Sequence, residues 1–160
     1  MSGMSVVEAA RVRVMEGLGR LQWLAPLVGR LAVGLVFLST GWGKVHDLPK
    51  VTHFFVELGI PMPGLNAGVV AYSELICGAL LVLGLATRLA TIPLMVSMIV
   101  AILTAKKSEL HGLFDLVGFE EFTYLSVLLM IAVLGAGAVS LDRLLARRLG
   151  WQPPSSPGRA

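Results

Sequence analysis

AGVVAYSELICGALLVLGLA, residues 67–86, is apolar or small throughout except for Tyr72, Ser73 and one carboxylate, Glu74. A stretch of this length matches a bilayer-spanning helix. A segment so apolar must be helical, because hydrocarbon offers no partner to an unpaired backbone amide. A carboxylate inside it costs roughly 2.5–3.5 kcal/mol on insertion-based scales, so Glu74 calls for a partner or a function.

Three further stretches are long enough to cross a bilayer: residues 24–42, 89–105 and 122–141. The first is interrupted by Arg30, whereas the last two carry no charge. Composition agrees. The chain is 56% hydrophobic and 14% charged, against about 25% charged in soluble domains, and its mean hydropathy is +0.81. The expected fold is all-α: an integral membrane four-helix bundle over residues 24–141, between an N-terminal segment (1–23) and a basic, partly disordered tail (142–160).

In the N-terminal segment Val6, Val7, Ala10, Val14, Leu18 and Leu21 recur at helical spacing, with Arg11, Arg13, Glu16 and Arg20 on the other faces. That pattern predicts an amphipathic helix lying on the membrane surface. Residues 48–58 predict a short interfacial helix, ended by the Gly59–Gly64 run with its two prolines. The terminal PPSSPGRA, residues 153–160, has a disordered composition. No A-x-A site follows the first span, so it is expected to be retained rather than cleaved.

The net charge is +3, and the basic residues flank apolar spans as topology signals do. The bilayer, and not nucleic acid, is therefore the expected partner. All the arginines fall in or beside the N-terminal segment, the second connection or the tail; Lys44, Lys50, Lys106 and Lys107 fall on the other side. The positive-inside rule then places both termini in the cytoplasm of a multi-pass protein, with His46, His53 and His111 facing outward. A single cysteine, Cys77, leaves no intrachain disulfide, CxxC pair or cysteine-ligated cluster. No histidine lies inside a span, so one chain cannot build a bis-histidine haem site at membrane depth.

Arg30, Gly34, Phe37, Gly41 and Lys44 share one face of the first span, and Ala71, Glu74 and Gly78 share a face of the second. Gly34, Gly41 and Gly78 would let the two helices approach closely. Counted from the inner ends of the spans, Arg30 and Glu74 differ in depth by about 9 Å, within reach of an extended arginine. Arg30 is therefore the expected partner of Glu74, with Lys44 next. Such a pair either locks the helices together or places a proton-accepting carboxylate beside a ligand cleft. On the outer side, His46, His53 and His111 accompany Asp47, Glu57, Glu109, Asp115, Glu120 and Glu121. These residue types suit transition metals, but no ligand spacing appears, so a solvated polar face is expected and no metal.

The run Arg30-Leu-Ala-Val-Gly34-Leu-Val-Phe37-Leu-Ser-Thr-Gly41-Trp-Gly-Lys44 resembles the opening of the DoxX family. So do Phe55 followed by Leu-Gly-Ile-Pro61, Glu74-Leu-Ile-Cys-Gly78, and Leu83-Gly84-Leu-Ala-Thr87-Arg88. The resemblance implies a small four-helix bacterial inner-membrane protein. Members are linked to sulfur oxidation, as a subunit of thiosulfate:quinone oxidoreductase, and to other membrane redox complexes. It implies an accessory subunit of a quinone-linked redox system, with Glu74, Arg30 and Lys44 near a non-covalently held quinone and no self-contained catalytic constellation. Two other classes remain open: a membrane scaffold docking soluble redox or stress proteins through its arginine-rich face, and a small transporter or lipid-handling protein. Homo-oligomers fit any of the three.

Overall fold

The structure, a computed structural model, describes residues 6–137 and 139–148. Among them the chain is helical, with no strand. The order is α1 (Val6–Leu21), α2 (Leu24–His46), α3 (Leu48–Glu57), α4 (Pro63–Leu83), α5 (Thr87–Thr104), α6 (Leu113–Gly118), α7 (Glu120–Leu134) and α8 (Leu141–Arg148). Among the described residues three helices, α2, α4 and α5, are long and apolar enough to cross a membrane.

Local chemistry sets the breaks. Asp47 caps α3 by accepting from the Lys50 amide at 3.2 Å, and Pro49 occupies its first turn, where a missing N–H costs nothing. Pro63 opens α4 in the same way. Gly84, at φ +69°, closes it in the left-handed conformation that glycine adopts without strain. The expected interfacial helix is α3; the expected N-terminal helix is α1, with Val14, Met15 and Leu21 exposed beside Arg11 and Arg13.

α2 packs on α4 and α7, and α5 packs on the same two helices, closing a ring. Its core joins Val33 and Phe37 of α2, Cys77 and Leu81 of α4, Ala90, Leu94 and Met98 of α5, and Leu128 and Ile131 of α7. The Phe37 and Tyr124 rings meet edge to face, 6.0 Å apart. The outside is as apolar as the inside: Val28, Leu35, Val69, Ile76, Ile92, Val96, Leu129 and Val133 are all exposed. In water such a surface would aggregate; in lipid it is the solvent-facing side.

α2 and α4 run antiparallel at backbone contact. A methyl group at Gly78 would lie 2.5 Å from the Leu38 amide nitrogen, and one at Gly41 would collide with the Leu75 backbone. Gly34 is tight as well, against Leu81 and Val82. Position 34 thus faces 82, 38 faces 78, and 41 faces 75.

The fourth apolar stretch differs from expectation. Instead of one helix over residues 122–141, α7 stops at Leu134, where Gly135 turns to φ +82° and Gly137 to φ +79°. Fifteen residues make a helix about 22 Å long, short of a hydrocarbon core of about 30 Å. The chain then re-forms a helix, α8, inside what composition marks as tail; its Ala146 is buried. The expected disordered end, residues 153–160, lies outside the described residues, as does Met1–Ser5.

Candidate functional site

Glu74 is 1% exposed and fully engaged. Lys44 of α2 places its ammonium 2.6 Å from both carboxylate oxygens. Thr40 donates its hydroxyl to Oε2 at 3.2 Å, and Ser97 of α5 donates to Oε1 at 3.3 Å. Three helices therefore converge on one carboxylate. Thr40 and Lys44 lie four residues apart, on one face of α2 and one turn from each other, while Gly41 brings that face against the α4 backbone at Glu74 and Leu75. Each oxygen receives one ammonium and one hydroxyl donor, the pairing a buried charge requires. The site opens through Lys44, whose side chain is 34% exposed. An ammonium has three donors; two directions go to Glu74, and the third is free to be offered to a ligand oxygen.

Arg30 is not the partner of Glu74. It is 3% exposed and lies at the other end of α2, donating to the backbone oxygens of Ala136 at 2.7 Å and Val139 at 3.0 Å. The helix register explains the separation. Glu74 stands opposite position 42, about 18 Å along the helix from Arg30, beyond any arginine's reach. Arg30 instead ties down the loop between α7 and α8. Arg88 assists by donating to the Val133 carbonyl at 3.2 Å.

Two participants in the ion-pair cluster, Thr40 and Ser97, were not singled out from the sequence. Thr40 sits one turn before Lys44 on the same face, which was a usable signal; Ser97 is a lone hydroxyl in the middle of an apolar span, a weaker one. Asp142 was also missed. Its Oδ1 accepts from the Ala86 amide at 2.7 Å and its Oδ2 from the Thr87 amide at 3.1 Å, capping the start of α5 from 55 residues away.

The three histidines are scattered. His46 bonds the Trp42 carbonyl through Nδ1 at 2.9 Å and packs on the Trp42 ring, His53 pairs with Glu57 at 3.4 Å, and His111 contacts the Glu109 carbonyl. Among the described residues no three His, Cys, Asp or Glu side chains gather as a metal site would need. Cys77 is buried in the core.

A buried charged cluster inside an all-helical body with a lipid-like exterior defines a membrane protein with a polar site between its helices. The DoxX family model matches residues 25–107, just over half the chain, and the chain belongs to the DoxX family. It is 38% identical over 130 residues to the "Uncharacterized membrane protein Rv3486" of Mycobacterium tuberculosis, covering 74% of this chain and 80% of that one. It is 31% identical to the "Inner membrane protein YphA" of Escherichia coli (73% and 87% covered). It is 32% identical to the "Putative oxidoreductase CatD" of Bacillus subtilis (74% and 85% covered). No solved structure matches the chain.

Proposed function

We propose that this DoxX protein is an accessory subunit of a quinone-linked redox system in the bacterial inner membrane, with the Lys44–Glu74 cluster as the place where a quinone headgroup is held. The observation that carries it is the ion pair itself, a carboxylate at 1% exposure beside an ammonium reachable from outside the bundle. Ionisable residues inside spans mark ligand and proton paths, and a buried ion pair is by itself weak evidence of added stability. The oxidoreductase name of the Bacillus subtilis relative points the same way. In this role Lys44 donates to a headgroup oxygen, Thr40 and Ser97 hold the carboxylate in place, and Glu74 is the group positioned to take a proton. The two-electron chemistry belongs to the quinone, and the electrons to a partner protein. The proposed arrangement puts α2, α4, α5 and the shorter α7 across the bilayer with both termini in the cytoplasm, the orientation supported by the arginine asymmetry and the membrane itself by relatives named inner membrane proteins.

The test is quinone retention. The parent, Glu74→Gln and Lys44→Met are each extracted from native membrane into nanodiscs, and quinone is quantified per protein after organic extraction. The parent should retain quinone well above the ratio in bulk lipid, and both variants should fall to that ratio. Bulk ratio in the parent itself, or full retention in both variants, would remove the proposal.

A further inference from the structure

At the end of the molecule opposite the ion pair, an open groove of about 550 Å³ lies between the last turn of α4, the α7–α8 connection and α8. Its charged wall is Arg30, Arg143 and Arg147; Val82, Leu83 and Leu144 are prominent on its apolar wall. We infer that this groove binds the phosphodiester headgroup of an anionic phospholipid, with the acyl chains lying along the apolar wall toward α4.

Three observations carry this. The first is a buried cation whose hydrogen bonding is incomplete. Arg30, at 3% exposure, gives its η nitrogens to neutral carbonyls, and its Nε has no hydrogen-bond partner. Asp142 attracts the guanidinium without hydrogen-bonding it, and an anion in the groove would complete the compensation a buried cation calls for. The second is that the acidic side chain of α8, near enough to attract Arg30, gives both its oxygens to the Ala86 and Thr87 amides and leaves the exposed arginines of the groove without a hydrogen-bonding carboxylate. Arg143 and Arg147 are exposed and stand one turn apart on the groove. The third is position. The groove sits where α4 ends, at the level of a membrane-spanning helix terminus, where phosphates lie. Its mixture of guanidinium and branched aliphatic side chains complements an amphiphile; a free phosphate would use only half of it.

The experiment uses the full chain in neutral detergent and short-chain phosphatidylglycerol, phosphatidylcholine and inorganic phosphate as probes, with lipid occupancy read by native mass spectrometry and melting followed in parallel. The parent should bind phosphatidylglycerol about tenfold more tightly than phosphatidylcholine. Arg143→Gln/Arg147→Gln should abolish that preference while melting like the parent without lipid, since both side chains are exposed. Lys106→Gln/Lys107→Gln, which removes the same charge at the far end, should keep it. No preference in the parent, a preference that survives the arginine substitutions, or its loss in the lysine variant would each overturn the inference. So would stabilisation by inorganic phosphate equal to that by the lipid. Quinone retention is independent of all these outcomes, so the two proposals fail separately.

Discussion

Lys44 and Glu74 should respond unequally to substitution. Lys44→Met strands a carboxylate at 1% exposure with only the Thr40 and Ser97 hydroxyls for company. Breaking a buried pair in this way costs about 3–5 kcal/mol. Glu74→Gln strands an ammonium whose side chain is already 34% exposed and whose flexible stem lets the head turn toward water. The new amide can still accept from a hydroxyl, so the loss should be about 1–2 kcal/mol. Because Lys44→Met/Glu74→Gln leaves no buried charge behind, the double substitution should cost less than the two singles together by about 2 kcal/mol, a coupling typical of groups in contact. The assay is SDS titration in mixed micelles, following helicity by circular dichroism and comparing midpoints and slopes. Glu74→Gln costing as much as Lys44→Met, or single effects that simply add, would refute the asymmetric pair.

Arg30→Met should be additive with Glu74→Gln to within about 0.5 kcal/mol, since the two side chains share no partner; the same titration checks it, and a coupling above about 1 kcal/mol would contradict the separation. Gly78→Leu should reduce folded yield severely by forcing α2 and α4 apart, whereas Gly43→Leu, with open space at its Cβ, should fold normally; monodispersity on size exclusion separates the two. Asp142→Ala should cost about 1–2 kcal/mol and speed amide exchange at Ala86 and Thr87, because their shared cap is gone. In a Cys77→Ala background, a cysteine at Ser156 should resist an impermeant thiol reagent added to intact cells, and one at His111 should react; the opposite pattern would reverse the orientation.

The bilayer-like character of α2, α4 and α5 was legible in the sequence because length and hydropathy alone decide it. That Glu74 needs a cation was legible too, since the cost of a lone carboxylate in a span does not depend on the fold. Which cation was not. Counting depth from Leu24 in the first span and from Ala86 in the second treats both as ending at one plane. In the structure the glycine contacts set the register at 34 to 82 and 41 to 75, which puts Glu74 opposite position 42 rather than position 36. Six residues of error moved the partner from Lys44 to Arg30. The break in α7 escaped for a related reason: Gly135 and Gly137 are small and apolar, so a hydropathy window reads through them, while their positive φ ends the helix. Asp142 looked like a tail residue because its two acceptors serve amides far away in the chain.

That long reach has a consequence for how the protein is made. The turn between α4 and α5 places Ala86 at φ +46°, a conformation alanine disfavours, and its amide and that of Thr87 are satisfied by a side chain synthesised 55 residues later. The Asp142 amide reciprocates by donating to the Gly84 carbonyl at 2.9 Å. At ribosomal speeds of about 5–20 residues per second, α4 and α5 have left the ribosome for several seconds before Asp142 follows. During that interval the turn has only water and headgroups for partners. The last described helix therefore acts as a latch: α4 and α5 can insert as a hairpin, but the hairpin is not fastened until α8 arrives. A chain truncated before Asp142 would keep its hydrophobic spans and still leave that turn open.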